Sequence, residues 1–492
     1  MATWSFTRCS GVSPQALDRR ELGAMDLHEA RAEIGEGLRI VIIGAGPTGL
    51  GAGHRLNELG HENWVLLESS DGAGGLARSF VDPAGFTWDV GGHVLFSGYP
   101  YFTRLIDGVL GADYSIISRN AQIWVENRLI PYPFQYNFGG LSTETVLDCI
   151  LGAIDAKYRL RDAPPTDFQE WIHFTMGDGI GRHFMDPYNW KVWATPLKRM
   201  SFDWVADRVS PIDLEQLLRN VLQQRQSSEW GPNRSFKYPL RHGIGDLFDS
   251  LARPLDPHVR FRTPAVSIDA SEQVVRTADG SDWPYDVLLS TVPLPRLVGT
   301  MISHVPSAIR GVVEHLEHTA SHIVGFGVDR VSEKDATWIY FPDLGIPFHR
   351  VTQLSDYSPN MTPQAGQMSL LTETSWSSHK PEDPTTIARR VLEGLISTSL
   401  LTEADRDRVV SCWEHSAAIT YPVPTVARDQ ALATIQPWLR DQQIWSRGRL
   451  GSWLYEIGNM DHCIMQGVEF VDNVLLGHPE SVWSQAGGSS PR

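Results

Sequence analysis

The stretch LRIVIIGAGPTGLGAGHRL, residues 38–56, constrains this chain more than any other. Ile40, Val41, Ile42 and Ile43, with Leu38 before them, read as a strand buried on both faces. Gly44, Gly46 and Gly49 then turn the chain into a helix that continues through Pro47, Thr48, Leu50, Ala52 and Leu56. Each glycine answers a separate need: a tight turn, close approach of backbone to a pyrophosphate, and close packing of helix on strand. The helix N-terminal N–H groups meet the pyrophosphate. A second apolar run, Trp64 to Leu67, ends in Glu68, nineteen residues after Gly49. An acid at that place hydrogen-bonds ribose hydroxyls. A lone glycine motif carries little; with both strands and the acid it predicts a dinucleotide-binding α/β unit.

Directly after Glu68 comes SSDGAGGLARSF, which contains Gly74, Gly75, Leu76 and Ala77. This Gly-Gly turn resembles the second phosphate-contacting loop of FAD-binding oxidoreductases, a family that includes amine oxidases. Residues 259–293, VRFRTPAVSIDASEQVVRTADGSDWPYDVLLSTVP, read as strands around a turn at Asp279-Gly280 that return to the nucleotide unit. That arrangement is similar to the same flavoproteins, and the resemblance places Val266 at the cofactor. FAD is therefore the expected cofactor.

The expected fold class is α/β: a discontinuous Rossmann-like FAD-binding domain with a helical insert and a mostly antiparallel β-sheet domain. The FAD domain is expected over 37–110, 250–315 and 443–485, and the helical domain over 138–230. The antiparallel sheet, or substrate, domain is expected over 111–137, 231–249 and 316–442. Val146, Ile150, Leu151 and Ile154 form an amphipathic stripe, and Thr166 to Gln169 a capping box. Ile387, Val391, Leu392, Leu395 and Ile396 share one helix face. Residues 1–36 are charged, lack an apolar core, and read as a dispensable leader rather than a secretory signal.

A net charge of −16 argues against a nucleic-acid partner, which needs a basic surface. Cys9, Cys149, Cys412 and Cys463 are widely spaced with no CxxC pair, which fits a reducing compartment and offers no zinc site. No apolar run approaches the roughly 18 residues of a membrane span. The expected location is the cytoplasm.

Further stretches narrow the reading: WDVGGHVLFSGY (88–99), IPYPFQYN (130–137), FMDPYNWKVWATPLKRMSFDWVADRV (184–209), WGPNRSFKYPLRHG (230–243), TWIYFPDLGIPFHR (337–350), TYPVPT (420–425) and GRLGSWLYEIGNMDH (448–462). In order, from about residue 38 to about 476, they resemble the UDP-galactopyranose mutase family of the eukaryotic type. The resemblance implies interconversion of UDP-galactopyranose and UDP-galactofuranose through a covalent N5-flavin–sugar adduct of reduced FAD, with NADPH as reductant. It implies that Arg208 and Arg350 bind the diphosphate, a task suited to the guanidinium fork. Tyr421 and Tyr455 match its phosphate-bonding tyrosines, and Tyr340 lines the sugar. Tyr132, Phe134, Gln135, Phe184, Asn189 and Trp193 match its uridine wall, while Asn233, Trp338 and Asn459 lie near substrate.

Gly91, Gly92 and His93 match the loop against the isoalloxazine, and His93 is implied in catalysis with the two arginines. Arg119 and Arg449 match arginines near the flavin, and Gly458, Asn459 and Asp461 bring backbone against it. One departure is Gly98, where the family often carries a second histidine. The implied partners are a UDP-sugar and NAD(P)H, with no nucleic acid and no membrane; a homo-oligomer stays open. Three alternatives remain at this level: a mutase acting on another NDP-sugar, an FAD oxidase or desaturase of the amine-oxidase type, and a nucleotide-sugar binder without turnover.

Overall fold

The computed structural model describes residues 37–159, 163–205, 209–210, 212–227, 231, 234–333 and 335–485. The leader, Arg208 and Asn233 lie outside them.

The four residues of Ile40–Ile43 are all buried, as an apolar run flanked by helices should be. They pair in parallel with Trp64–Leu67 on one side and Val287–Ser290 on the other. Val259–Arg260 and Ile444–Ser446 complete a five-stranded parallel sheet in the order 444–446, 287–290, 40–43, 64–67, 259–260. Strands from four distant parts of the chain thus meet in one sheet. Between Val259–Arg260 and Val287–Ser290 runs a three-stranded antiparallel sheet, 265–269, 274–277 and 282–284.

A seven-stranded sheet forms the second layer system, in the order 409–422, 318–328, 368–376, 350–353, 338–340, 121–125, 128–131. Its pairings are antiparallel except Trp338–Tyr340 with Ala121–Val125. Tyr114–Ser118 and Ser235–Pro239 pair in a separate two-stranded ribbon rather than in this sheet. Helices Thr143–Tyr158, Phe168–Thr175, Asp186–Trp193 and Leu214–Gln223 make the helical region.

Two local expectations are corrected. Helix Phe168–Thr175 is capped by Asp167, whose carboxylate accepts from Glu170 N at 2.9 Å, so the cap sits one residue later than Thr166. Asp accepts more strongly than Thr because it is charged, and Thr166 instead donates through N and Oγ1 to Glu170. In helix Thr143–Tyr158 the inward face is Thr145, Cys149 and Ala153, while Leu151 and Ile154 are exposed. Small residues are needed there because Gly152 packs against Gly177–Gly179 backbone, with a Cβ on Gly179 reaching 2.2 Å from Asp148 O. Among the described residues, no helix is long and apolar enough to cross a membrane.

Candidate active site

One cavity of about 370 Å³ runs where the two layer systems meet. Its first wall is backbone. Strand Ile40–Ile43 ends at Gly44, and helix Pro47–Leu59 begins at Gly46 with no side chain capping its first N–H groups. Those open donors face the cavity and favour an anion. Gly49 lies behind them, where a Cβ would stand 2.0 Å from Gly44 O. Glu68 lines the cavity and is 8% exposed; its carboxylate accepts from Ala45 N and Ser70 N, both at 2.7 Å. Gly74, Gly75, Leu76 and Ala77 follow along the same wall.

A second helix opens on the same space. Met460–Leu476 begins at Asn459, again without a side-chain cap, and Gly458, Asn459, Met460 and Asp461 all line the cavity. This helix packs closely on Pro47–Leu59, since a Cβ on Gly467 would approach Thr48 O to 2.0 Å. Two helix dipoles therefore point positive ends into one cavity.

The opposite material is side chain. Arg350 starts strand Arg350–Gln353, and Glu373 faces it across the register from Met368–Trp376. They form a two-pronged pair, Nε to Oε1 at 2.7 Å and Nη2 to Oε2 at 2.8 Å. Glu373 also accepts from Gly92 N at 3.1 Å, which ties the Gly91-Gly92-His93 loop to the sheet. A Cβ on Gly92 would meet Thr352 Oγ1 at 2.7 Å, so the loop lies flat on the sheet only with glycine there. Burial opposes both charges, but each outweighs it for the other: Arg350 is held above its ordinary pKa and Glu373 below.

His93 lines the cavity, and burial lowers its pKa to about 4, with Arg350 and Arg449 adding to the effect against Glu373. The ring is neutral at pH 7. Its Nδ1 lies 3.1 Å from Gly91 O, which only accepts, so Nδ1 carries the proton and Nε2 is left as an acceptor. Arg449 donates through Nε to Thr420 O and through Nη1 to Gly458 O. Its guanidinium lies 4.8 Å from the Tyr421 ring centroid and 5.6 Å from that of Tyr455. Burial pushes the Tyr421 hydroxyl up to about 12, which keeps it a donor.

The structure thus brings Gly44, Gly46, Pro47, Thr48, Glu68, the 74–77 turn, the 91–93 loop, Arg350, Tyr421, Arg449, Tyr455 and Asn459 to one cavity. The expected uridine wall lies beside it. Phe134, Phe184 and Tyr188 stack nearly parallel, with centroids 5.0 and 5.1 Å apart, and Tyr188 meets Tyr340 edge-on. Tyr132 packs on Tyr340 and Arg119 lies over Tyr132. Trp193 joins this group to the cavity, 4.7 Å from Tyr455. Gln135 and Asn189 are buried, donate to Ser210 O and Met185 O, and are not among the residues that line the cavity. Trp338 is likewise buried, and Val266 is 48% exposed on the small antiparallel sheet, away from the cavity lining.

Glu373 is the site residue that sequence reading overlooked. Its signal is a lone acid in MSLLTETSW, a strand whose first eight residues are all buried. A buried acid needs a cation, and the register supplies Arg350.

The donor set of this cavity fits FAD: two open helix N-termini, a ribose-facing acid and a glycine-lined wall. The chain belongs to the flavin containing amine oxidoreductase family, which matches it over residues 47–475. Within that class it is a relative of UDP-galactopyranose mutase. The crystal structure of the reduced mutase superposes with a TM-score of 0.89 at 38% identity, covering 92% of this chain and 96% of that one. Putrescine oxidase with bound putrescine shares the fold alone, with a TM-score of 0.62 at 13% identity over 89% of this chain and 99% of the oxidase. The curated relatives match over a short stretch. One, 15-cis-phytoene desaturase from Narcissus pseudonarcissus, is 36% identical over 95 residues, which are 19% of this chain and 16% of the desaturase.

Proposed function

We propose that this chain is a UDP-galactopyranose mutase of the eukaryotic type, interconverting UDP-galactopyranose and UDP-galactofuranose. The observation that carries the reading is Arg350 with Tyr421 and Tyr455 on the wall of a flavin-type cavity. A nucleotide-sugar diphosphate carries about two negative charges, and the guanidinium N–H groups that Glu373 leaves on Arg350, with tyrosyl donors, suit it. Arg208 would supply the second cation and Asn233 a further substrate contact.

Residues 44–49, Glu68, the 74–77 turn, the 91–93 loop, Arg449 and 458–461 would hold FAD. Bound and reduced, FAD would supply a nucleophile for the anomeric carbon. The protein's part is to keep the departing diphosphate close, through Arg350 and the two tyrosines, so that it returns after the ring has changed. Neutral His93 offers an acceptor at Nε2 without adding charge beside the arginines. No acid/base dyad is required. NADPH as reductant and a cytoplasmic location belong to the same proposal.

An oxidase acting on an amine or a polyene would have no use for a buried arginine–glutamate pair beside two tyrosines, which favours the mutase reading over that alternative. Dithionite-reduced protein incubated with UDP-galactofuranose is expected to form UDP-galactopyranose, while the oxidised protein stays inactive. Identical traces from the two forms, with no product, would overturn the proposal.

A further inference from the structure

Tyr421 ends the long strand Val409–Pro422, and seven residues later Arg428 opens helix Arg428–Asp441. Its side chain is 1% exposed, the most buried arginine in an ion pair among the described residues. It points two nitrogens at one carboxylate: Nη1 to Glu456 Oε2 at 2.9 Å and Nη2 to Glu456 Oε1 at 2.8 Å. Nε donates to Asp429 Oδ1 at 2.8 Å. Glu456 lies in the turn Tyr455–Ile457, between a cavity tyrosine and the Gly458–Asp461 segment that also lines the cavity.

The segment between Tyr421 and Arg428 is itself pinned. Val423 N donates to Glu317 O at 2.9 Å, Ser201 N to Pro424 O at 2.8 Å, and Arg428 N to Thr425 O at 3.1 Å. The fork thus fastens the turn that carries Tyr455 to the segment that carries Tyr421, whose rings lie 6.0 Å apart. A buried pair of charges returns little net stability over a well-packed apolar pair of the same volume. What the fork adds is register, because a bidentate guanidinium–carboxylate pair fixes distance and orientation together.

We propose that Arg428 and Glu456 are positioning residues that set the spacing of Tyr421 and Tyr455 for a diphosphate, an inference that rests on the mutase reading for its ligand. Neither is among the residues that line the cavity; they act through the tyrosines.

The decisive variant replaces both members by apolar residues of similar length, Arg428→Met together with Glu456→Met, in the full-length FAD-loaded protein. A structural role alone predicts full recovery, since the double change removes both buried charges at once. The positioning role predicts normal flavin absorbance and a melting temperature near that of the parent, with UDP binding about tenfold weaker. It also predicts a rise in KM larger than the fall in kcat, and faster amide hydrogen exchange over 455–459. Parental UDP affinity and exchange in the double variant would overturn the proposal, as would a loss of UDP binding that merely tracks lost FAD. If the parent itself binds no UDP, the mutase reading fails, and the exchange comparison still decides the positioning role.

Discussion

Along Gly44 to Gly92 the cavity is walled largely by glycine-rich backbone, at Gly44, Gly46, Gly74, Gly75, Gly91 and Gly92, with Glu68 its one acid. Along Arg350, Glu373, Tyr421 and Tyr455 it is walled by side chains that are charged or aromatic and that arrive from separate strands and turns. The first wall has no room for an added Cβ at Gly44, Gly49 or Gly92, and the second depends on paired side chains. A wall of backbone is specified by local conformation. A wall of side chains is specified by which strands pair and in what register, and so by contacts far apart in the chain.

The largest expected effect lies on the backbone wall. Gly49→Ala places a Cβ 2.0 Å from Gly44 O, and separating strand from helix to relieve it should cost about 4 kcal/mol or more. The purified variant is expected to lack flavin absorbance; a yellow, stoichiometrically loaded protein would break the contrast. Glu373→Gln tests the other wall. It leaves the Arg350 guanidinium without its carboxylate, which should cost about 3 kcal/mol of stability. Flavin should still bind, because Gln keeps an oxygen that can accept from Gly92 N and the 44–49 and 74–77 turns are untouched, while mutase turnover should be lost. Denaturant midpoints and flavin content separate the two outcomes.

The smallest effect sharpens the comparison from further out. His173 bridges Asp178 and Asp186, at 2.7 and 2.8 Å, just before the turn Gly181–Met185 that carries Phe184. The hydrogen bond to Asp186, helped by Asp178 and opposed by partial burial, raises its pKa to about 9. A raised histidine contributes in full below its unfolded pKa of about 6.5 and loses that contribution as pH climbs through the folded value. The melting temperature of the parent should therefore fall between about pH 6.5 and 9 by more than that of His173→Gln. Parallel curves would remove His173 from the account of the aromatic wall.

The contrast between the walls also explains what could be read beforehand. Gly44, Gly46, Gly49 and Glu68 lie within one βαβ unit, so spacing alone placed them. Arg350, Tyr421 and Tyr455 were named only because long motifs resembled a known family; nothing in their spacing brings them together. Glu373 escaped notice because an acid in a strand is marked only by its register partner. Gln135 and Asn189 each donate through the amide nitrogen to a backbone carbonyl, contacts that spacing does not announce.

The five-stranded sheet carries a consequence for synthesis. Its edge strand Ile444–Ser446 lies about 400 residues after the glycine motif, and the segment that follows it, Gly448 to Cys463, lines the same cavity as Gly46 and Thr48. A chain emerging from the ribosome N-terminus first holds its glycine motif for most of its translation without the surfaces that complete it. Loading of the flavin would then wait until residues 448–476 have left the exit tunnel. Truncations that spare every glycine of the N-terminal motif but remove helix Met460–Leu476 should release a protein that never turns yellow.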